Sequence, residues 1–282
     1  MTASYAAHHK CLACVFLVAC MFLSPAWAEE EVWTKLDEGL HLGKFSSPVI
    51  AGAGEDSIVV LKIDPRYYGL RLLSASEHGK KSRAVDQWCR EFGLAAAINA
   101  SMYAADYLTS TGYMRNGNHV NNGFVNPRFG AFLVFNPKTP SLPLVQIVDR
   151  HHQDWETIIG EYDTVVQNYR LITFTGQNSW HKKENERISS QAAVGMDRTG
   201  AVLFILSALP CGTHEFGEAL RRLPLNLVNA MYVEGGSEAS LYLNHGGRQQ
   251  SWADAWQLVF AGSESGRNAL RIPNVIGVKK KD

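Results

Sequence analysis

Apolar residues along this chain fall into short, nearly unbroken runs separated by polar or glycine-containing intervals. SIVVLKID (57–64) and GLRLLSA (69–75), split by Pro65-Arg66-Tyr67-Tyr68, predict two strands joined by a turn. LAAAIN (94–99) and FGAFLVFN (129–136) predict buried strands, and TVVQNYRLITF (164–174) predicts a strand interrupted at Asn168. AAVGMD (192–197) and AVLFILS (201–207) flank Arg198-Thr199-Gly200, a tight hairpin signal. Two segments carry helical spacing instead. Ala84, Val85, Trp88, Cys89 and Phe92 recur on one face, with Ser82 as the expected cap and Gly93 as the stop. Phe216, Ala219, Leu220 and Leu223 follow Thr213, a second expected cap, and Pro224 ends that helix. Many hairpin-like strands with a few helices predict an α+β fold, a mostly antiparallel or mixed twisted sheet with helices packed on it, in a single domain.

The ends set the boundaries of that domain. Lys10, the apolar run Cys11–Leu23 and the small-x-small triplet Ala26-Trp27-Ala28 have the form of a secretory signal peptide. Residues 1–28 are therefore expected to be removed, 29–54 to form a lead-in, and 55–282 to form the domain. Export to the periplasm or outside the cell follows. Leu17-Val18-Ala19-Cys20 offers the competing outcome of a lipoprotein anchored at Cys20. The apolar run is about half of a membrane span, so no stable membrane span is expected. The chain carries 27 basic and 27 acidic residues; only Lys10 lies in residues 1–28, leaving 26 against 27, a net −1. That balance excludes a nucleic-acid partner held by charge. Cys89 and Cys211 remain after removal of the signal, and they either pair in an oxidising compartment or stay as separate buried thiols.

Two polar intervals carry candidate chemistry. YVEGGSEASLYLN (232–244) sets Glu234 at the end of an apolar run, followed by Gly235 and Gly236. Glycines let a ligand approach the backbone, so their amides are candidates for an anion beside the Glu234 carboxylate, with Ser237 and Ser240 adding hydroxyls. The competing outcome is an ordinary hairpin turn with an exposed Glu234. A serine-hydrolase elbow is a poor match, because Gly235-Gly236-Ser237-Glu238-Ala239 lacks the second flanking glycine. The other interval, AINASMYAADYLTSTGYMRNGNHVNNGF (97–124), begins with Asn99 at a strand end and offers Tyr103 and Tyr107 as rings for sugars, Asp106 as a carboxylate and Arg115 as a planar cation. His151-His152-Gln153-Asp154 has no matching partner pair and is expected to be surface loop; no metal and no cofactor are called for.

In combination, INASMYAADYLTSTGYMRNG, NYRLI, ERISSQAAVGMDRTGAVLFILS and YVEGGSEASLYLN, in that order, resemble the phosphodiester glycosidase family, the type of domain found in the lysosomal uncovering enzyme. The resemblance spans roughly residues 55–265 and is nearest to a bacterial secreted branch. The chain departs from the family pattern in two places. Glu234-Gly235-Gly236-Ser237-Glu238 stands where Asp-Gly-Gly-Gly-Ser is usual, and Ser101 stands where a glycine is usual.

The resemblance implies a hydrolase acting on a glycosyl phosphodiester or a related envelope glycan, with carbohydrate as the partner. It implies Glu234 as base or nucleophile with Asp106 as second carboxylate, stabilising an oxocarbenium-like state. Arg115 and Arg187, aided by the amides of Gly235 and Gly236, would hold the departing phosphate, while Asn99, Tyr103 and Ser240 would position the sugar. The alternative is a non-catalytic glycan-binding protein that keeps the cleft.

Overall fold

The computed structural model describes residue 1 and residues 32–50, 57–253 and 270–282. The expected signal segment and its Cys20 alternative lie outside the described residues.

Three antiparallel sheets surround one core. The first joins β1 (Trp33–Asp37), β2 (Leu40–Phe45), β3 (Ile58–Ile63), β13 (Val202–Cys211), β12 (Ser189–Asp197), β14 (Leu227–Gly235) and β11 (Arg170–Ile172), in that spatial order. The second runs β7 (His119–Asn122), β6 (Met114–Asn116), β10 (Tyr162–Asn168), β8 (Ala131–Pro137) and β9 (Val145–Asp149). The third runs β16 (Arg248–Ala253), β15 (Ser240–His245), β5 (Ala96–Asn99), β17 (Asn274–Lys280) and β4 (Tyr68–Ser74). The α+β, mostly antiparallel expectation holds.

The unbroken apolar runs have a simple cause. Val59, Leu61 and Ile63 of β3 face the central core while Ile58 and Val60 face outward into a second cluster, and Phe204 and Leu206 of β13 alternate with Leu203 and Ile205 in the same way. A sheet covered on both faces loses the polar half of the period-2 pattern. The outer covers are three helices. α3 (Thr213–Arg222) lays Phe216, Ala219 and Leu220 on the first sheet; α1 (Val85–Phe92) lays Trp88 and Cys89 on the third. α2 (Trp155–Gly160) covers the second sheet, with Trp155 stacked on Phe132 at 5.1 Å between ring centroids.

Several local expectations are corrected. Neither expected hydroxyl caps a helix: Ala84 precedes α1 and Gly212 precedes α3, and their amides donate to the side chains of Gln87 and Glu215. Ser82 donates its hydroxyl to the Tyr107 carbonyl instead. Gly93 does stop α1, at φ 62°. The turn after β3 does not make a hairpin, because β4 belongs to another sheet. The break at Asn168 is likewise a change of sheet, from the second to the first. The stretch expected as a lead-in supplies β1 and β2, which pair in series with β3.

Cys89 and Cys211 lie in different clusters, beneath α1 and beneath α3, as free thiols. Burial pushes both thiols up, Cys211 to about 12. A thiol reagent at pH 8 is therefore expected to leave the native chain unmodified at both positions and to label both after denaturation, read by mass spectrometry.

Candidate functional site

Glu234 stands at a corner between two sheets. β14 ends at Gly235 beside β12, a single 3-10 turn follows (Gly236–Glu238), and β15 then enters the third sheet beside β5. The hairpin-turn outcome is thereby excluded.

Each small residue of the corner has a physical reason. A methyl group on Gly235 would overlap the Tyr232 hydroxyl and sit 3.1 Å from the Ser190 carbonyl oxygen. Gly236 has φ +78°, the left-handed region that favours glycine. Arg187 and Glu238 flank it: Arg187 Nη2 lies 3.7 Å and Glu238 Oε2 3.6 Å from where a Cβ would be. Tyr103, reaching in from the other polar interval, donates its hydroxyl to Glu238 Oε1 at 3.3 Å, and Ser237 donates to Oε2 at 2.8 Å.

The electrostatics follow from crowding. Burial is the main cause that lifts the Glu234 carboxyl from 4.5 to about 7; the Gly235 amide opposes the rise, the Glu238 charge adds to it, and Arg187 opposes it. Burial, then the neighbouring Glu234 charge, pushes the Tyr232 hydroxyl well above its ordinary range. Burial and Glu238 do the same to Tyr103. A carboxyl that titrates near neutrality beside a second carboxylate and a cation is poised for proton transfer.

The expected site residues divide accordingly. Glu234, Gly235, Gly236, Ser237, Tyr103 and Arg187 come together at the corner. Gly235's amide, however, is turned back onto Glu234 Oε1 at 3.0 Å and is not open to a ligand. Asn99 and Ser240 lie just behind: buried Asn99 accepts the Ser240 amide through Oδ1 at 3.2 Å, and the Ser240 hydroxyl donates to the Glu238 carbonyl. They brace the second limb of the corner.

Asp106 is held elsewhere. Its exposed carboxylate accepts the Thr109 hydroxyl at 2.6 Å and the amides of Leu108 and Thr109, which folds its own loop and lowers its titration range. That fold presents Tyr107, 63% exposed at φ 56°, with its ring 5.5 Å from Tyr103. Arg115 also stands away from the corner. Its neighbour Met114 faces the central core, so by strand alternation Arg115 points to the far side of β6, where Nη2 donates to the carbonyls of Ile159 and Tyr162. It anchors α2.

Glu238 and Tyr232 were the residues that sequence reasoning passed over. Glu238 lies four positions beyond Glu234, where the usual family pattern has serine; Tyr232 has the look of a core residue.

Among the described residues, no group of three or more His, Cys, Asp or Glu side chains could hold a metal ion. His151 and His152 are exposed, as expected. No described helix is long and apolar enough to cross a membrane. A cavity of about 650 Å³ runs along β4 and is lined by Arg71, Glu77, His78, Asn116 and Lys279 among others, none of them from the corner.

Comparison with known proteins bears on the family and the fold. A family model described as phosphodiester glycosidase matches residues 92–279. Among solved structures, a hypothetical protein from Synechocystis superposes with a TM-score of 0.61 at 16% identity, covering 88% of this chain and 63% of its own. The catalytic domain of zebrafish N-acetylglucosamine-1-phosphodiester alpha-N-acetylglucosaminidase gives 0.61 at 12% identity, covering 88% and 86%. A Burkholderia pseudomallei protein gives 0.52 at 11%, covering 82% and 75%. These likenesses establish a shared fold. No curated protein matches by sequence.

Proposed function

Because this chain belongs to the phosphodiester glycosidase family, we propose that it is an exported hydrolase that cleaves the bond between a sugar's anomeric carbon and a phosphodiester oxygen. One observation carries the reading: Glu234, with its titration raised to about 7, shares a corner with Glu238 and Arg187.

Glycosyl transfer to water passes through an oxocarbenium-like state that needs a carboxylate on the sugar face opposite the leaving group. Glu234 fills that role, as base toward water or as nucleophile. Glu238 replaces Asp106 as the second carboxylate, steadied by the Tyr103 hydroxyl. A phosphodiester departs as a stable anion, so the leaving side needs positive charge more than a strong acid. Arg187 supplies that charge. Tyr107 and Tyr103 offer rings on which a sugar can stack.

The test is a panel of α- and β-linked glycosyl phosphodiesters, assayed for released sugar. Turnover of at least one member, absent for a phosphodiester with no sugar, supports the reading. A folded protein that releases sugar from none of them counts against it.

A further inference from the structure

A second cavity, of about 300 Å³, takes no lining residue from the corner but carries a strongly basic wall. Arg128, His151, Arg170, His181 and Lys183 contribute to its wall together with Tyr169, Trp180, Ser179 and Gly130, and no acidic side chain is among the described residues that line it. Three of these cations, Arg128, Arg170 and Lys183, are permanent. Asp149, beneath the floor, answers one of them: Arg170 Nη1 donates to both of its oxygens, at 2.8 and 2.9 Å, while Arg170 Nε donates to Ser179. The His151 ring closes one side, with Nε2 only 3.3 Å from where a Cβ on Gly130 would be. Arg128 and Lys183 are exposed, from loops far apart in sequence.

The cavity is joined to the corner by aromatic rings. Tyr169 contacts Trp180 at 5.3 Å between centroids, Trp180 contacts Tyr232 at 5.7 Å, and the Tyr232 hydroxyl abuts Gly235. Arg170 of β11 stands opposite Met231 of β14, three residues before Glu234, a separation of roughly 10 Å along an extended strand. That is about the reach from an anomeric carbon, across a phosphodiester, to the far side of the next sugar. Apolar rings for a sugar face with cations at the rim are the combination that binds phosphorylated sugars.

We propose that this cavity binds a second anionic phosphate on the leaving side of the substrate, so that the preferred substrate carries two phosphates one sugar apart. The proposal rests on the hydrolase reading for its connection to catalysis, but the binding stands on the cavity alone. The second phosphate has two chemical sources, a phosphomonoester on a single leaving sugar or the next diester of a sugar-phosphate polymer.

Calorimetric titration tests it with a hexose 6-phosphate, the unphosphorylated hexose and a short sugar-phosphate oligomer as probes. Saturable binding of either phosphorylated probe, weakened on the order of tenfold for each cation removed in Arg128→Ala and in the Arg128→Ala/Lys183→Ala pair, supports the proposal. Whichever phosphorylated probe binds more tightly identifies the source. Both side chains are exposed, so the variants are expected to fold, which thermal melts verify. The same titration on the parent chain separates the two readings, because binding by a parent that turns over no panel member leaves the cavity assigned and removes only the hydrolase. Equal binding of hexose and hexose phosphate, or phosphate binding unchanged in the double variant, overturns the proposal.

Discussion

Glu234→Gln is expected to abolish sugar release while making the protein more stable at alkaline pH. The kinetic part follows from the loss of a base or nucleophile: turnover falls by about 10²–10⁴ or more, with substrate binding retained. A variant that turns over like the parent would remove Glu234 from the reacting carbon. A parent without turnover, whose variant differs from it only in glycan affinity, would favour the glycan-binding alternative.

The stability part is a linkage argument. The folded carboxyl titrates at about 7, above its ordinary 4.5, so the folded state holds a proton that the unfolded chain has released over that interval. Stability therefore falls as pH rises from about 4.5 to 7, and the penalty is full above it. Converting the interval gives roughly 3 kcal/mol at most. Glutamine cannot ionise and escapes the penalty. At about 2–4 °C per kcal/mol for a chain of this size, the variant should melt several degrees above the parent at pH 8 and close to it at pH 4.5. In the parent, kcat/KM should rise through pH 7 as the base ionises. Coincident melting curves at pH 8 would show that burial of Glu234 imposes no such penalty.

Asp149→Ala is expected to cost about 3–5 kcal/mol at neutral pH. Asp149 is 2% exposed and accepts both Arg170 bonds and the His151 amide, with His152 Nδ1 at 3.2 Å. Removing it leaves the Arg170 guanidinium partly buried without its partner, and that is the larger part of the cost. Burial would raise the Asp149 carboxyl, but the His151 amide, Arg170 and His152 together hold it below its ordinary range. Its contribution is thus complete above the ordinary carboxylate range and is lost as pH falls through the depressed value. Urea unfolding measures the effect. A double variant, Asp149→Ala with Arg170→Met, should recover much of the loss; a single variant within 1 kcal/mol of the parent would refute the account.

Most strands were legible because their apolar runs are long and bounded by turn residues. The property that made them visible hid their partners. When both faces of a sheet are covered, β3, β10 and β14 look alike, and nothing local tells that the next strand joins a different sheet. Glu234 was legible as a carboxylate at the end of such a run before two glycines. Arg187 drew attention only through family resemblance, since Lys182–Arg187 has the composition of a solvated loop. That Arg115 stands away from the corner is not legible locally, because its register on β6 depends on pairing with β10, which is a long-range fact. That Asp106 folds its own loop is equally hidden, because turn-forming aspartates and site aspartates have the same local sequence; only the bonds to Leu108 and Thr109 distinguish them. The basic cavity was not legible at all, because its side chains come from four separate segments.

The corner that carries Glu234 also ties stereochemistry to packing. Glu234 is the penultimate residue of a strand in one sheet, and Glu238 lies two residues before a strand of another. Their separation is therefore set by the short 3-10 connection between them, whose flanking residues Val233, Ala239 and Leu241 are packed into the central core. Retention or inversion at an anomeric carbon turns on a difference of only about 1–4 Å between two carboxylates. In a hydrolase built on this corner, a change in how Val233, Ala239 and Leu241 pack would therefore act on the stereochemical outcome through the turn they anchor, with every polar group left in place.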